Sequence, residues 1–300
     1  MAHHHGHSHH HDHGHGSTGN IRTAFFLNFF FTLLEIVGGL WTNSMAILSD
    51  ALHDLGDSLT LGIAWYLERY SQRGPDEKFT FGYARFSLLG ALLNSLILIG
   101  GSALILINVI PRLFNPQPVN TQGMLLFALL GIGINGLAVL RLRKGKSLNE
   151  RVVLWHLMED VLGWVVILIA GIVLLFVDAP ILDPILSIVI TIYVLYHVLS
   201  NLKEILRILL QGVPGNLSIR AIEAEIVAEA GVESVHHTHI WSLEGERHLL
   251  STHIVVCDDI ERDELIAVKA RIRELMRARG IEHVTIEVDF AGEDCENQTC

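Results

Sequence analysis

Three cysteines in 300 residues, an odd number, leave nothing from which to build a disulfide framework. Cys257, Cys295 and Cys300 all stand in the C-terminal part, and scarcity of this kind fits a reducing, cytosolic setting. Basic residues are short as well. The chain has 21 Lys and Arg against 32 Asp and Glu, a net charge of −11, with no basic face and no RNA- or DNA-binding motif, which argues against nucleic acid as a partner. No cleavable signal peptide is expected. The first apolar run follows a histidine tract rather than a short basic one, and no small-residue cleavage site closes it.

What takes the place of charge is hydrophobic. Half of the residues are apolar and the mean hydropathy is +0.42, too high for an ordinary soluble domain. The apolar residues come in long blocks up to about residue 210, and the remainder is mixed. This predicts a membrane domain over residues 21–212, a small soluble domain over 213–290 and a cysteine-containing tail over 291–300. Residues 1–20, MAHHHGHSHHHDHGHGSTGN, are low-complexity His and Gly that cannot form a core and read as disordered. An expression tag or a natural metal-collecting tail could look like this. The Gly, Ser and Asp interruptions favour the tail.

Six membrane-spanning helices are expected, at about Ile21–Trp41, Ser44–Leu67, Tyr83–Ile110, Met124–Leu142, Val152–Val177 and Ile181–Leu202. In the first, Asn28 and Glu35 are seven apart and share a face, a polar seam turned to the interior. Asn94 is the main buried-polar candidate of the third. Gly131, Gly133 and Gly136 in the fourth permit close helix packing. Arg69, Arg73, Lys78 and Arg85 follow span two, and Arg141, Arg143, Lys144, Lys146 and Arg151 follow span four. Thr42–Ser44 and Asp178–Asp183 carry no Lys or Arg, and the loop after span three has Arg112 alone. Positive loops face inward, so both termini are expected in the cytoplasm, with the chain in the cell (inner) membrane. The soluble part reads as a helix (Ser218–Ala230), two strands (Ser234–Leu243, Arg247–Cys257), a second helix (Arg262–Arg279) closed by Gly280, and a third strand (His283–Phe290). The order αββαβ implies an α+β sheet with helices on one face.

Span two is apolar except for Asp50, His53, Asp54 and Asp57. A charge at bilayer depth costs about 2.5–3.5 kcal/mol even on the lenient insertion scale, so such residues face a partner, a cavity or an ion. His53 and Asp57 are four apart and lie one turn above the other. His156 and Asp160 in span five repeat that spacing on a helix running the opposite way. Side by side, the two spans pair a histidine with an aspartate at each level. Two imidazole nitrogens and two carboxylate oxygens make an N2O2 set suited to tetrahedral Zn²⁺. Without the metal, the same crowded carboxylates and imidazoles take up protons, so metal and protons compete for one set of atoms. Interhelical salt bridges are the alternative use for one such motif. Two copies on antiparallel spans favour the metal.

The stretches TNSMAILSDALHDLGDS, DEKFTFGYAR, NSLILIGGS, WHLMED, LDPILSIVI and VHHTHIWSLEG resemble the cation diffusion facilitators, a family of divalent-metal/proton antiporters, over nearly the whole chain. The resemblance implies a homodimer with six spans per protomer, a cytoplasmic ferredoxin-like domain and a transport site at His53, Asp57, His156 and Asp160. Members with His and Asp on both helices are typically zinc transporters, often also moving cadmium or cobalt. It further implies regulatory metal binding near His236, His253, Glu287 and Asp289. His237, His239, His248 and His283 stand as unranked further candidates, and Cys295 and Cys300 as either a soft ligand pair or free thiols.

Some positions depart from the family pattern. The link Glu68–Arg85 has no histidine, so the interfacial metal site some members carry there is expected to be absent. Trp164 replaces a small residue one turn after Asp160 and is expected to narrow the cavity. Glu159 flanks His156 and is either an extra ligand or proton acceptor, or a partner to a neighbouring helix. Asp50 is either an exit-path residue or a helix cap, and Asp54 points off the ligand face. A proton-coupled metal exporter is therefore the expected function, and not an enzyme. A membrane metal sensor signalling through its cytoplasmic domain, and a membrane-embedded zinc hydrolase with Glu159 as base, are the alternatives.

Overall fold

The computed structural model describes residues 17–71, 73–142, 148–291 and 293, with the backbone alone for several, His156 among them. The His-rich residues 1–16 and both tail cysteines lie outside the described residues. Six helices come first: α1 (Ser17–Thr42), α2 (Met45–Ser71), α3 (Phe86–Phe114), α4 (Thr121–Leu142), α5 (Leu148–Phe176) and α6 (Leu182–Leu209). They are followed by α7 (Ile219–Val227), β1 (Ser234–Ser242), β2 (His248–Val256), α8 (Arg262–Ala278) and β3 (Ile281–Phe290). The chain divides into two compact units, residues 1–67 with 93–199, and residues 68–92 with 200–300.

In the first unit, α3 to α6 each contain a stretch long and apolar enough to cross a membrane. The 26-residue α1 is apolar over Asn28–Thr42, and the 27-residue α2 is diluted by its own acids. The helices are held by two kinds of contact. Ala46, Ile47, Met124, Ala128, Trp164 and Ile167 form one buried apolar cluster. Of Gly131, Gly133 and Gly136 in α4, only Gly131 closely approaches described atoms. A Cβ there would lie 2.2 Å from the Trp164 ring, which also packs edge-on to Phe31. Trp164 is 1% exposed and is a core residue of the α1–α4–α5 contact, which corrects its expected place along a cavity. Gly131→Ala should cost about 1–3 kcal/mol through overpacking. A lowered thermal midpoint in detergent, partly restored by adding Trp164→Phe, is the expected result, and an unchanged midpoint would disprove the contact's importance.

The second kind of contact is polar. Asn28 Nδ2 donates to the Asp54 carbonyl (3.2 Å) and to Ser58 Oγ (3.1 Å), so the α1 seam closes onto α2. Ser49 and Ser187 hydroxyls meet at 2.6 Å between α2 and α6, with Thr191 Oγ1 donating to Ser49 Oγ at 3.2 Å. Asn94 Nδ2 donates to Thr60 Oγ1 at 2.8 Å between α3 and α2. Asp183, at the opening of α6, is fully buried. It accepts from Ser44 Oγ (2.5 Å), Met45 N (2.7 Å) and Ala46 N (3.2 Å), closing the first turn of α2 from α6.

The second unit holds the soluble α+β fold. The sheet order is β1-β2-β3, with β1 antiparallel and β3 parallel to the central β2. The parallel pairing needs a crossover, which α8 supplies. Alternation along β2 turns Leu250, Ile254 and Val256 to the helices, where they pack with Ile222 and Ile226 of α7 and Val268, Ile272 and Met276 of α8. Asp263 and Glu264 favour the α8 N-terminus, and Gly280 at φ 77° ends the helix. The opposite face of β2 carries Leu249, Ser251 and His253. Here Leu249 clusters with Leu243 and with Ala84 of the α2–α3 link. Arg85 Nε donates to the Leu243 carbonyl (3.1 Å), and the Phe81 ring stands edge-on to His283.

Candidate functional site

The α2 pair sits as its spacing requires. His53 Nε2 is 3.8 Å from Asp57 Oδ2, and both side chains are half-buried. On α5, Asp160 is half-buried, and His156 lies one turn before it with its side chain outside those described. The register of the two helices follows from one close approach: a Cβ on Gly163 would lie 3.4 Å from Asp50 Oδ1. Antiparallel α-helices advance by equal rises. Equal steps along the two helices from that contact are compatible with His53 level with Asp160 and Asp57 level with His156.

The flanking residues sort differently from expectation. Asp50 is 7% exposed and inside α2, whose opening amides are taken by Asp183 and Ser44, so Asp50 is not its cap. Asp54 is 5% exposed, more buried than either His53 or Asp57. It faces Glu35 of α1, which is fully buried, and the two carboxyl groups stand within hydrogen-bonding range of each other. Asp160 lies within electrostatic range of Glu35, Asp50 and Asp54. Glu159 is exposed and accepts a hydrogen bond from Tyr193 Oη of α6 at 3.3 Å, which makes it a partner to a neighbouring helix.

A second cluster forms on the helix-free face of the sheet. His236 pairs with His253 across β1–β2, and His253 with Glu287 across β2–β3. His236 Nε2 and His253 Nδ1 each lie 3.1 Å from Asp289 Oδ2, so three ligand atoms gather within 4.8 Å. Two imidazoles and a carboxylate are zinc-type donors, and this cluster is able to hold a metal ion. The other nitrogen of His253 meets Glu287 Oε2 at 3.3 Å, the kind of contact that orients a ligating imidazole. A β-bulge between His236 and His239 puts His237 at φ 50° and breaks the strand alternation. The His237 ring therefore stands 5.1 Å from the His253 ring, and its Nε2 is 3.3 Å from that of His239. Desolvation, then the rings of His239, His253 and His236, hold the His237 imidazole below the usual histidine range. His283 is apart from this cluster, against Phe81, and His248 is buried two residues before Leu250, whose side chain packs in the helix-side core.

The cation efflux transmembrane domain matches residues 21–210, and the cation efflux protein cytoplasmic domain matches residues 214–291. The chain is 35% identical to the zinc transporter ZitB of Pectobacterium atrosepticum, over all of this chain and 92% of the relative. It is 33% identical to a cadmium, cobalt and zinc/H(+)-K(+) antiporter of Bacillus velezensis, over 89% and 87%. It is 34% identical to the metal cation efflux system protein CzcD of Cupriavidus metallidurans, over 91% and 86%.

Proposed function

The chain belongs to the cation efflux (cation diffusion facilitator) family, a family of transporters rather than enzymes, and from that premise we propose that it exports Zn²⁺ from the cytoplasm in exchange for protons. It is a multi-pass membrane protein with a cytoplasmic C-terminal domain. The proposal adds six spans, both termini in the cytoplasm of the cell membrane, and a homodimer joined through the C-terminal domain. Cadmium and cobalt, named for relatives, are further proposed substrates.

The observation that carries the reading is the doubled His-x-x-x-Asp on α2 and α5, supported by the close approach of Asp50 to Gly163. His53 and Asp57 offer a nitrogen and an oxygen from one side, His156 and Asp160 the same from the other. Two carboxylates neutralise a divalent ion, so the loaded site carries little net charge. Protons arriving from outside neutralise the same carboxylates and imidazoles, release the ion and allow the empty carrier to return. Alternating exposure of one ligand set thus couples metal efflux to proton entry. Zinc movement into or out of proteoliposomes, driven by an imposed pH gradient, tests the reading. Flux indifferent to that gradient would overturn it.

For the cytoplasmic domain we propose that His236, His253 and Asp289 hold a regulatory zinc ion, with Glu287 orienting His253. Zinc at about a hundred times its Kd should stabilise the domain by about 2.7 kcal/mol. Asp289→Asn should remove most of that gain in a thermal melt of the full protein. The same zinc-dependent shift in the variant would disprove the assignment.

A further inference from the structure

Past its first turn, the basic residues of α8 fall into two sets. Arg271 Nε donates to Glu229 Oε2 at 3.0 Å and Arg279 Nε to Glu225 Oε2 at 3.1 Å, so these two tie α8 to α7 and the turn that follows it. Lys269, Arg273 and Arg277 stand at four-residue steps on another face of the helix. No hydrogen bond or ion pair joins their side chains to any described residue. Like charges at this spacing repel one another. Arg273 and Arg277 are exposed, and with Glu282, His283 and Val284 of β3 they line a cavity of about 170 Å³. β3 is an edge strand, so no further strand closes that cavity among the described residues. Two guanidiniums against the Glu282 carboxylate leave it positive, in a chain of net charge −11 whose sequence shows no basic face.

The cavity also lies close to a membrane span. The Phe81 ring stands edge-on to His283, 5.5 Å between centroids, and Phe81 belongs to the α2–α3 link, five residues before α3 begins. α3 is long and apolar enough to cross a membrane, and its first turns share one compact unit with the soluble domain. Five residues of chain span at most about 18 Å, which puts His283 within reach of the headgroup region. We propose that Arg273, Arg277 and His283 bind the phosphate of an anionic phospholipid of the cytoplasmic leaflet, with Lys269 extending the contact by one turn. The planar guanidinium presents paired N–H donors that match phosphate oxygens. The Glu282 carboxylate, an acceptor in the same cavity, suits a headgroup that also carries hydroxyls, such as phosphatidylglycerol. The inference needs the membrane placement of α3 and not the identity of the metal carried, so zinc flux does not bear on it.

The test uses the full chain in lipid nanodiscs, in zinc-free buffer, read by hydrogen exchange over Arg277–Val284. Exchange there should slow at least about fivefold in discs of about one-third phosphatidylglycerol relative to phosphatidylcholine alone, fivefold being the worth of one basic residue at an anionic surface. Arg273→Gln with Arg277→Gln should abolish the difference. Both side chains are exposed, so folding should be unaffected. Arg220→Gln with Arg262→Gln removes the same charge elsewhere on the domain and should keep it. Inorganic phosphate in excess, added to phosphatidylcholine discs, should leave exchange unchanged. Equal exchange in the two kinds of disc, or a difference that survives Arg273→Gln with Arg277→Gln, would overturn the site. Loss of the difference in both double variants would reduce it to net charge and overturn it as well. Protection by inorganic phosphate in phosphatidylcholine discs would make the ligand a free anion and overturn the lipid.

Discussion

Asp57→Ala and Asp160→Ala are each expected to abolish proton-driven zinc flux in reconstituted vesicles, with the protein still folding and inserting. Each substitution removes an anionic ligand from the proposed four-donor set and would leave a divalent ion held by two imidazoles and one carboxylate. Such a site carries excess positive charge at membrane depth, where charge is expensive. It has also lost one of the groups on which metal and proton compete. Asp57→Asn separates the two losses, because it keeps an oxygen near the ion and gives up the charge. Its flux should be as low as that of the alanine variant if charge neutralisation governs the site. Both side chains are half-buried beside neighbours that remain in place, so folding should tolerate either change. Robust flux in Asp57→Ala and Asp160→Ala together would sink the assignment of the transport set. Loss of folding in either would be visible as loss of monodisperse protein.

The α2 and α5 motifs were legible because helical periodicity converts spacing directly into a shared face, and because charge in an apolar run needs a reason. The αββαβ order of the soluble domain was legible for the same kind of reason, from alternation and from Gly280 after the second helix. What escaped depends on partners distant in sequence. Glu35 was visible as part of a seam, but its opposition to Asp54 depends on how α1 closes on α2 through Asn28 and Ser58. Asp54 points away from the His53–Asp57 face, which says nothing about a third helix waiting on that other side. Trp164 looked like an obstruction beside the site because a bulky residue stood where a small one was usual. Gly131, on a helix 33 positions earlier, is the hole that receives it. His237 and His239 stood as unranked candidates beside His236 and His253 in the sequence. One bulge brings His237 towards His253, and no local pattern announces it.

Asp183 is the clearest case of a residue whose importance is invisible locally, and its substitution is expected to have the second-largest effect. It stands beside Pro184 at the opening of α6, where a turn-forming Asp-Pro pair needs no further explanation. Yet its two oxygens close the first turn of α2 through Ser44 Oγ and the Met45 and Ala46 amides, some 140 residues away in sequence. Helix-opening amides have no partners of their own, and an anion at the positive end of the helix dipole stabilises it further. Asp183→Ala removes all three bonds inside a buried contact and should cost about 1–3 kcal/mol for each buried donor left unsatisfied. The functional consequence follows from position. Asp50, His53, Asp54 and Asp57 all ride on the helix that Asp183 anchors, so a frayed α2 opening displaces the ligands relative to α5. Hydrogen exchange should show the Met45 and Ala46 amides unprotected in Asp183→Ala, with flux reduced in proportion. Asp183→Asn retains one acceptor oxygen and should fall between the two. Unchanged protection at Met45 and Ala46 in Asp183→Ala would show that α2 is held from elsewhere, and the ligand geometry would then owe nothing to this contact.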